Sequence, residues 1–152
     1  MAINPNDNFI AGQILTATEC NQFPRGIMAL STLTTNTTVN TTETTRTSVT
    51  WTAVASRYYK ITWFEGNVSY PGSSTNNMYL RQTTTAGTII GNSVAVVLDP
   101  VSNERVCSIV TTFAAGSQTV FARVLGSVVN NTTYAASATQ PAFLMVEDIG
   151  PA

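Results

Sequence analysis

The sequence predicts an all-β domain, an antiparallel two-sheet sandwich carried behind a short amino-terminal arm. Three observations predict it. Residues 57–67, RYYKITWFEGN, alternate, with Tyr59, Ile61 and Trp63 on one side and Tyr58, Lys60 and Thr62 on the other. That is the period of a strand with one buried and one wet face. Threonine occurs 26 times in 152 residues, and a β-branched hydroxyl side chain suits an exposed strand face that stays soluble without charge. Beyond the arm, no apolar pattern persists at helical spacing, while Gly, Pro and Asn turn signals recur along the chain.

The elements follow in order. Residues 1–25 are polar and turn-rich, with Phe9 and Ile10 as isolated apolar anchors. Thr16-Ala17-Thr18-Glu19 fits a capping box, and Leu15 and Cys20 stand where a hydrophobic staple would. Pro24 then limits the helix to about two turns. This stretch reads as an arm that either packs on its own sheet or docks on a neighbouring subunit. Residues 26–152 form the sandwich, a single domain long enough for a real core.

Strands are expected at 27–33, at 48–52 with Val49 and Trp51 inward, and at 57–67, closed by Gly66 and Pro71-Gly72. Further strands are expected at 78–82, around 86–91, and at 93–98, stopped by Asp99-Pro100. Residues 34–47 and 69–76 read as polar loops. The runs 105–113 and 118–125 flank Ala114-Ala115-Gly116-Ser117 and read as a hairpin. Residues 132–138 alternate, and Pro141 opens a last strand at 142–149. About eight strands at this spacing suggest a sandwich or a jelly roll.

Two strands are apolar on both faces. The last sets Phe143 and Met145 against Leu144 and Val146, and 118–125 sets Phe121 and Leu125 against Val120 and Val124. Such a strand needs cover on both sides. A single sandwich supplies one side, so the other is expected from a second subunit rather than from loops or the arm.

Composition excludes several functions. Net charge is −1 and only 10% of residues are charged, so no basic surface is expected for nucleic acid or anionic lipid. No apolar run approaches the roughly 20 residues that cross a bilayer. No secretory signal is read at the amino terminus, so Cys20 and Cys107 are expected as free thiols. The sequence has no histidine, which removes His-dependent nucleophile pairs and imidazole metal sites. Glu147 and Asp148 are adjacent, and strand neighbours face opposite sides, so they form no glycosidase pair. No phosphate-binding or nucleophile-elbow spacing is present. No cofactor or metal is expected. Sequons at Asn36, Asn40, Asn67, Asn130 and Asn131 arise from the Thr-rich composition and are expected to be unmodified. Trp51, Tyr59 and Trp63 could join Tyr58 in a sugar-stacking platform, but the alternation favours core for the first three and surface for Tyr58.

Three segments carry a resemblance. They are FIAGQILTATECNQFPRG at 9–26, VTWTAVASRYYKITW at 49–63 and SATQPAFLMVEDIGPA at 137–152. Their order resembles small virion proteins of tailed bacteriophages of actinobacteria, with the VEDIGP ending the most specific part. The resemblance implies a non-enzymatic, jelly-roll-like structural protein, often a homotrimer. Such domains occur both as capsid decoration and as modules of minor tail proteins; one short domain with a brief arm favours capsid decoration, binding the major capsid protein or another virion protein on the outer surface, after assembly in the host cytoplasm. The alternative is a minor tail or receptor-binding protein that contacts host surface glycan. Phe9, Ile10, Leu15, Phe23, Phe143, Met145, Glu147 and Asp148 are the candidate partner-binding residues. The two acids are expected to pair with Arg57 or Arg123 at a subunit boundary.

Overall fold

The computed structural model describes residues 23–39, 41–98, 100–128 and 132–152. The expected arm helix, with Phe9, Ile10, Leu15 and Cys20, lies outside the described residues. So do Asn40, Asn130 and Asn131. The described residues form ten strands: β1 (Gly26–Leu33), β2 (Thr37–Val39), β3 (Thr44–Ala53), β4 (Arg57–Tyr70), β5 (Ser74–Gln82), β6 (Ile89–Val97), β7 (Val101–Thr112), β8 (Gly116–Gly126), β9 (Thr132–Ala135) and β10 (Ala142–Pro151).

All pairings are antiparallel, and the strands make two sheets. In the first, β4 is central. It pairs β10 along residues 57–64 and β9 along 67–69, and β7 lies along its other edge. β1 completes the sheet beyond β10, and β2 beyond β9. The second sheet runs β3-β8-β5-β6. The chain passes from one sheet to the other between β2 and β3, β3 and β4, β4 and β5, β6 and β7, β7 and β8, and β8 and β9, which is jelly-roll connectivity.

The core lies between the sheets, as the alternation requires. Tyr59, Ile61 and Trp63 are fully buried, and Val49 and Trp51 nearly so. Trp51, Tyr59 and Phe113 form a cluster of tilted and edge-on rings with centroids 5.0 to 5.9 Å apart, a favoured aromatic geometry. Trp63 stacks on Tyr134. The aromatic residues are therefore core, and the sugar-stacking platform does not form.

Five expectations about the elements are corrected. The runs 105–113 and 118–125 are not a hairpin, because β7 pairs with β4 and β8 with β3 and β5. Burial of Phe113 against Trp51 draws the connection beneath the sandwich, and Gly116, at φ 110°, turns the chain into the other sheet. Gly66 does not end the third strand: β4 passes it with a register shift between Glu65 and Val68 and continues to Tyr70. The expected loop 69–76 shrinks to 71–73, because Ser74 and Asn76 turn inward and bond each other at 2.9 Å. Residues 34–47 contain β2 and the start of β3, where Arg46 points inward. The pieces near 86–91 and 93–98 are one strand, β6.

Candidate self-association face

Register across the first sheet sets out its outer face. One row runs Thr32, Phe143, Phe64, Val106; the next runs Leu30, Met145, Thr62, Ser108; a third runs Ile27, Glu147, Lys60, Val110. Phe64 and Phe143 stack with centroids 5.4 Å apart. Ile27, Leu30, Val106 and Val110 are half to three-fifths exposed. Phe143 and Met145 are partly covered by these neighbours. In these three rows the charged residues are Lys60 and Glu147, which face each other at 3.8 Å and cancel. The face is thus a broad apolar patch without net charge, of the sort that marks an interaction surface.

The side chains at the carboxy-terminal motif divide between two roles. Glu147 lies on this face, but Asp148 does not. Asp148 is 1% exposed and turned inward, where it accepts from Arg57 Nε and Nη2, the latter at 2.7 Å. Arg57 pairs with Asp148 of its own chain rather than across a subunit boundary, which corrects the expectation for that acid. The reason lies in the strand period: with Glu147 outward, Asp148 must point in. Gly150, at φ 124° with its N–H donating to Asp148 Oδ1 at 3.0 Å, sits in a register shift that shapes this clasp. Arg57 also donates to the Phe23 carbonyl. The carboxy-terminal strand therefore ties both ends of the described chain together, and Phe23 is engaged there through its backbone. Arg123 bonds neither acid.

The second double-faced strand is resolved differently. On the outer face of the second sheet, Phe121 lies between Ser48 and Arg81. Glu43 accepts from Arg81 at 2.6 and 2.7 Å and from Arg123 at 2.7 Å, and the Arg81 guanidinium lies 5.5 Å from the Tyr79 ring centroid. These polar groups dress β8 within one chain. The Arg81 hydrogen bond, aided by Arg123, holds the Glu43 carboxyl below its ordinary 4.5 against the opposing effect of burial. A depressed folded-state pKa gives stability that is complete above the unfolded value and is lost as pH falls through the folded one. Glu43→Gln is therefore expected to lower stability at pH 7 and to flatten the acid limb below about pH 4.5. Urea denaturation at pH 7 and pH 3 for both proteins checks this.

The sandwich interior holds two more buried cations. Arg46 pairs with Glu65 (Nε to Oε1, 3.0 Å), and Trp63 Nε1 donates to the same oxygen at 2.9 Å. Arg105 bonds Ser93 and the hydroxyls of Tyr70 and Tyr134. Burial raises both tyrosine pKa values and pushes the Cys107 thiol to about 11, so Cys107 is an inert core thiol. Among the described residues no group of three His, Cys, Asp or Glu side chains gathers to hold a metal ion.

Leu30, Phe64, Val106 and Val110 were not singled out by sequence reasoning. Phe64 was detectable, since it continues the outward series Tyr58, Lys60, Thr62. The two valines were not, because their place on the face depends on β7 pairing with β4.

No family model matches the chain, and no curated protein matches it significantly. Two solved structures align with it at low identity. The Eiger TNF from S. frugiperda aligns over 86% of this chain and 94% of its own, with TM-score 0.41 and 10% identity. A structure described as Bacillus endospore appendages forming a novel family of disulfide-linked pili aligns over 74% and 92%, with TM-score 0.32 and 11% identity.

Proposed function

We propose that this chain is a virion structural protein of a tailed phage, a capsid decoration protein that forms a homotrimer and binds the outside of the assembled shell. The observation that carries the assembly part is the outer face of the first sheet, where stacked Phe64 and Phe143 are ringed by half-exposed Leu30, Ile27, Val106 and Val110. An apolar face of this breadth on a sheet already packed on one side calls for a protein cover. The virion part rests on the resemblance carried by 9–26, 49–63 and 137–152. The two fit together: a decoration protein needs repeated, modest contacts summed by avidity, and a low-charge Thr/Asn surface keeps a densely repeated particle soluble.

In this reading the protein is not an enzyme and needs no cofactor. Its partners are its own copies and the major capsid protein or another virion protein. Labelling it on intact particles by electron microscopy tests the placement. Label spread over the head in many copies supports decoration. Label confined to the tail in a few copies supports the minor-tail reading and removes this one, and absence from particles removes both.

A further inference from the structure

The second sheet ends at β6, and no strand among the described residues pairs its outer edge. Hydrogen bonding along β5 fixes which groups lie on that edge. Thr75 N donates to Ser127 Oγ, and the Thr75 carbonyl accepts from Ser127 N, both at 2.8 Å, so the Thr75 backbone faces β8. Strand alternation then turns Asn76 and Met78 toward β6, where they meet Ala95 and Ser93. The N–H and C=O groups of Asn92, Val94 and Val96 therefore point off the sheet. Their side chains stand on its outer face beside Tyr79, Asn77 and Thr75, and Val94 and Val96 are 52% and 69% exposed.

An edge of this kind accepts a further strand unless it is short, bulged, charged or covered. The other edge strands carry such guards. β1 shifts register between Ile27 and Ala29 and lies against β3, where Ser31 and Thr47 share a hydrogen bond. β2 has three residues, β3 shifts register between Thr45 and Thr47, and β7 carries Glu104 and Arg105. β6 has its one shift at its start, between Ile89 and Gly91, and from there to Val97 it is regular, uncharged and free of proline. The occupant that fits is β6 itself from a second copy. Pairing a strand with its own copy sets like residues opposite each other, which an uncharged edge does without repulsion. A two-fold axis through Val94 uses all three free residues. Val94 then meets Val94 of the partner subunit, Asn92 meets the partner's Val96, and each pair exchanges two hydrogen bonds.

We propose that β6 pairs antiparallel with β6 of a second copy about that axis, joining two four-stranded sheets into one. The contact is isologous and lies apart from the first-sheet face, so it goes beyond the trimer reading and links one assembly to the next. A lone strand pairing is marginal in water, so this one forms at high local concentration, as on a crowded particle. The test uses ¹⁵N-labelled Met145→Glu protein, which removes the first-sheet contact, at concentrations up to about 2 mM. The amides of residues 92, 94 and 96 are expected to shift together with concentration, and sedimentation equilibrium to fit protomer and dimer. Val94→Lys and Val94→Glu, each added to that protein at an exposed position, are expected to weaken pairing at least about tenfold, because like charges meet at the axis. An equimolar mixture of the two is expected to recover it. The inference is overturned if the three amides ignore concentration, if either charged variant pairs as tightly as its parent, if the mixture pairs no better than the single variants, or if species beyond the dimer form. Wild-type protein sedimented at low concentration reads the trimer separately, so either contact can fail while the other stands.

Discussion

Met145→Glu is expected to convert the proposed homotrimer into folded protomers. Met145 lies on the outer face of the first sheet between Leu30 and Thr62, one step along β10 from Phe143 and Glu147. In a free protomer a glutamate there projects into water, so the fold loses little. In the proposed trimer it would be buried against apolar side chains, two residues from Glu147 on the same face. An unpaired buried carboxylate costs several kcal/mol, and a closed assembly repeats that cost in every subunit. A rise of at least two orders of magnitude in the dissociation constant is therefore expected. Sedimentation velocity reads the mass, and circular dichroism confirms that the β-sheet signal is kept. Thr62→Glu, one strand away in the same row, should behave alike. A wild-type protein that sediments as a protomer at high concentration would remove the self-association reading altogether.

Glu65→Gln carries the other large effect, on folding rather than assembly. Its carboxylate is fully buried and accepts from Arg46 Nε, Arg46 Nη2 and Trp63 Nε1 at 2.9 to 3.3 Å. Arg46 also donates to Thr37 Oγ1 and to the Thr35 carbonyl. The pair thereby pins β2 and the entry to β3 onto the middle of β4. The glutamine keeps the shape but leaves the guanidinium buried without a counter-charge. Breaking a buried pair from one side typically costs about 3–5 kcal/mol, a large part of the roughly 5–15 kcal/mol that holds a domain together. Chemical denaturation followed by tryptophan fluorescence measures it. The double replacement Arg46→Met with Glu65→Leu is expected to recover much of the loss, since no charge then stays buried alone. A single-variant loss under about 1 kcal/mol would mean that water already shares the site.

The sandwich was legible because a half-buried strand writes its two faces into alternate residues. Residues 57–67 showed which side of β4 is core, and 142–149 showed that β10 has apolar residues on both sides. The same rule showed that Glu147 and Asp148 diverge, yet it could not say that Asp148 reaches Arg57 within its own chain. Residues 118–125 show the limit from the other direction. Their two apolar faces suggested a second subunit contact, whereas Arg81, Arg123 and Glu43, drawn from three distant segments, dress the outer one.

What the chain alone determined is local: strand periodicity, the aromatic core of Trp51, Tyr59 and Trp63, and the absence of histidine chemistry. Which strands are neighbours was decided only in three dimensions. A short Gly-containing link such as 113–116 fits both a hairpin and a crossing between sheets, and the choice is made by where Phe113 can be buried. The apolar face belongs to that second level. It gathers side chains up to 120 positions apart in sequence, and backbone pairing, which carries no local signature, is what brings them together.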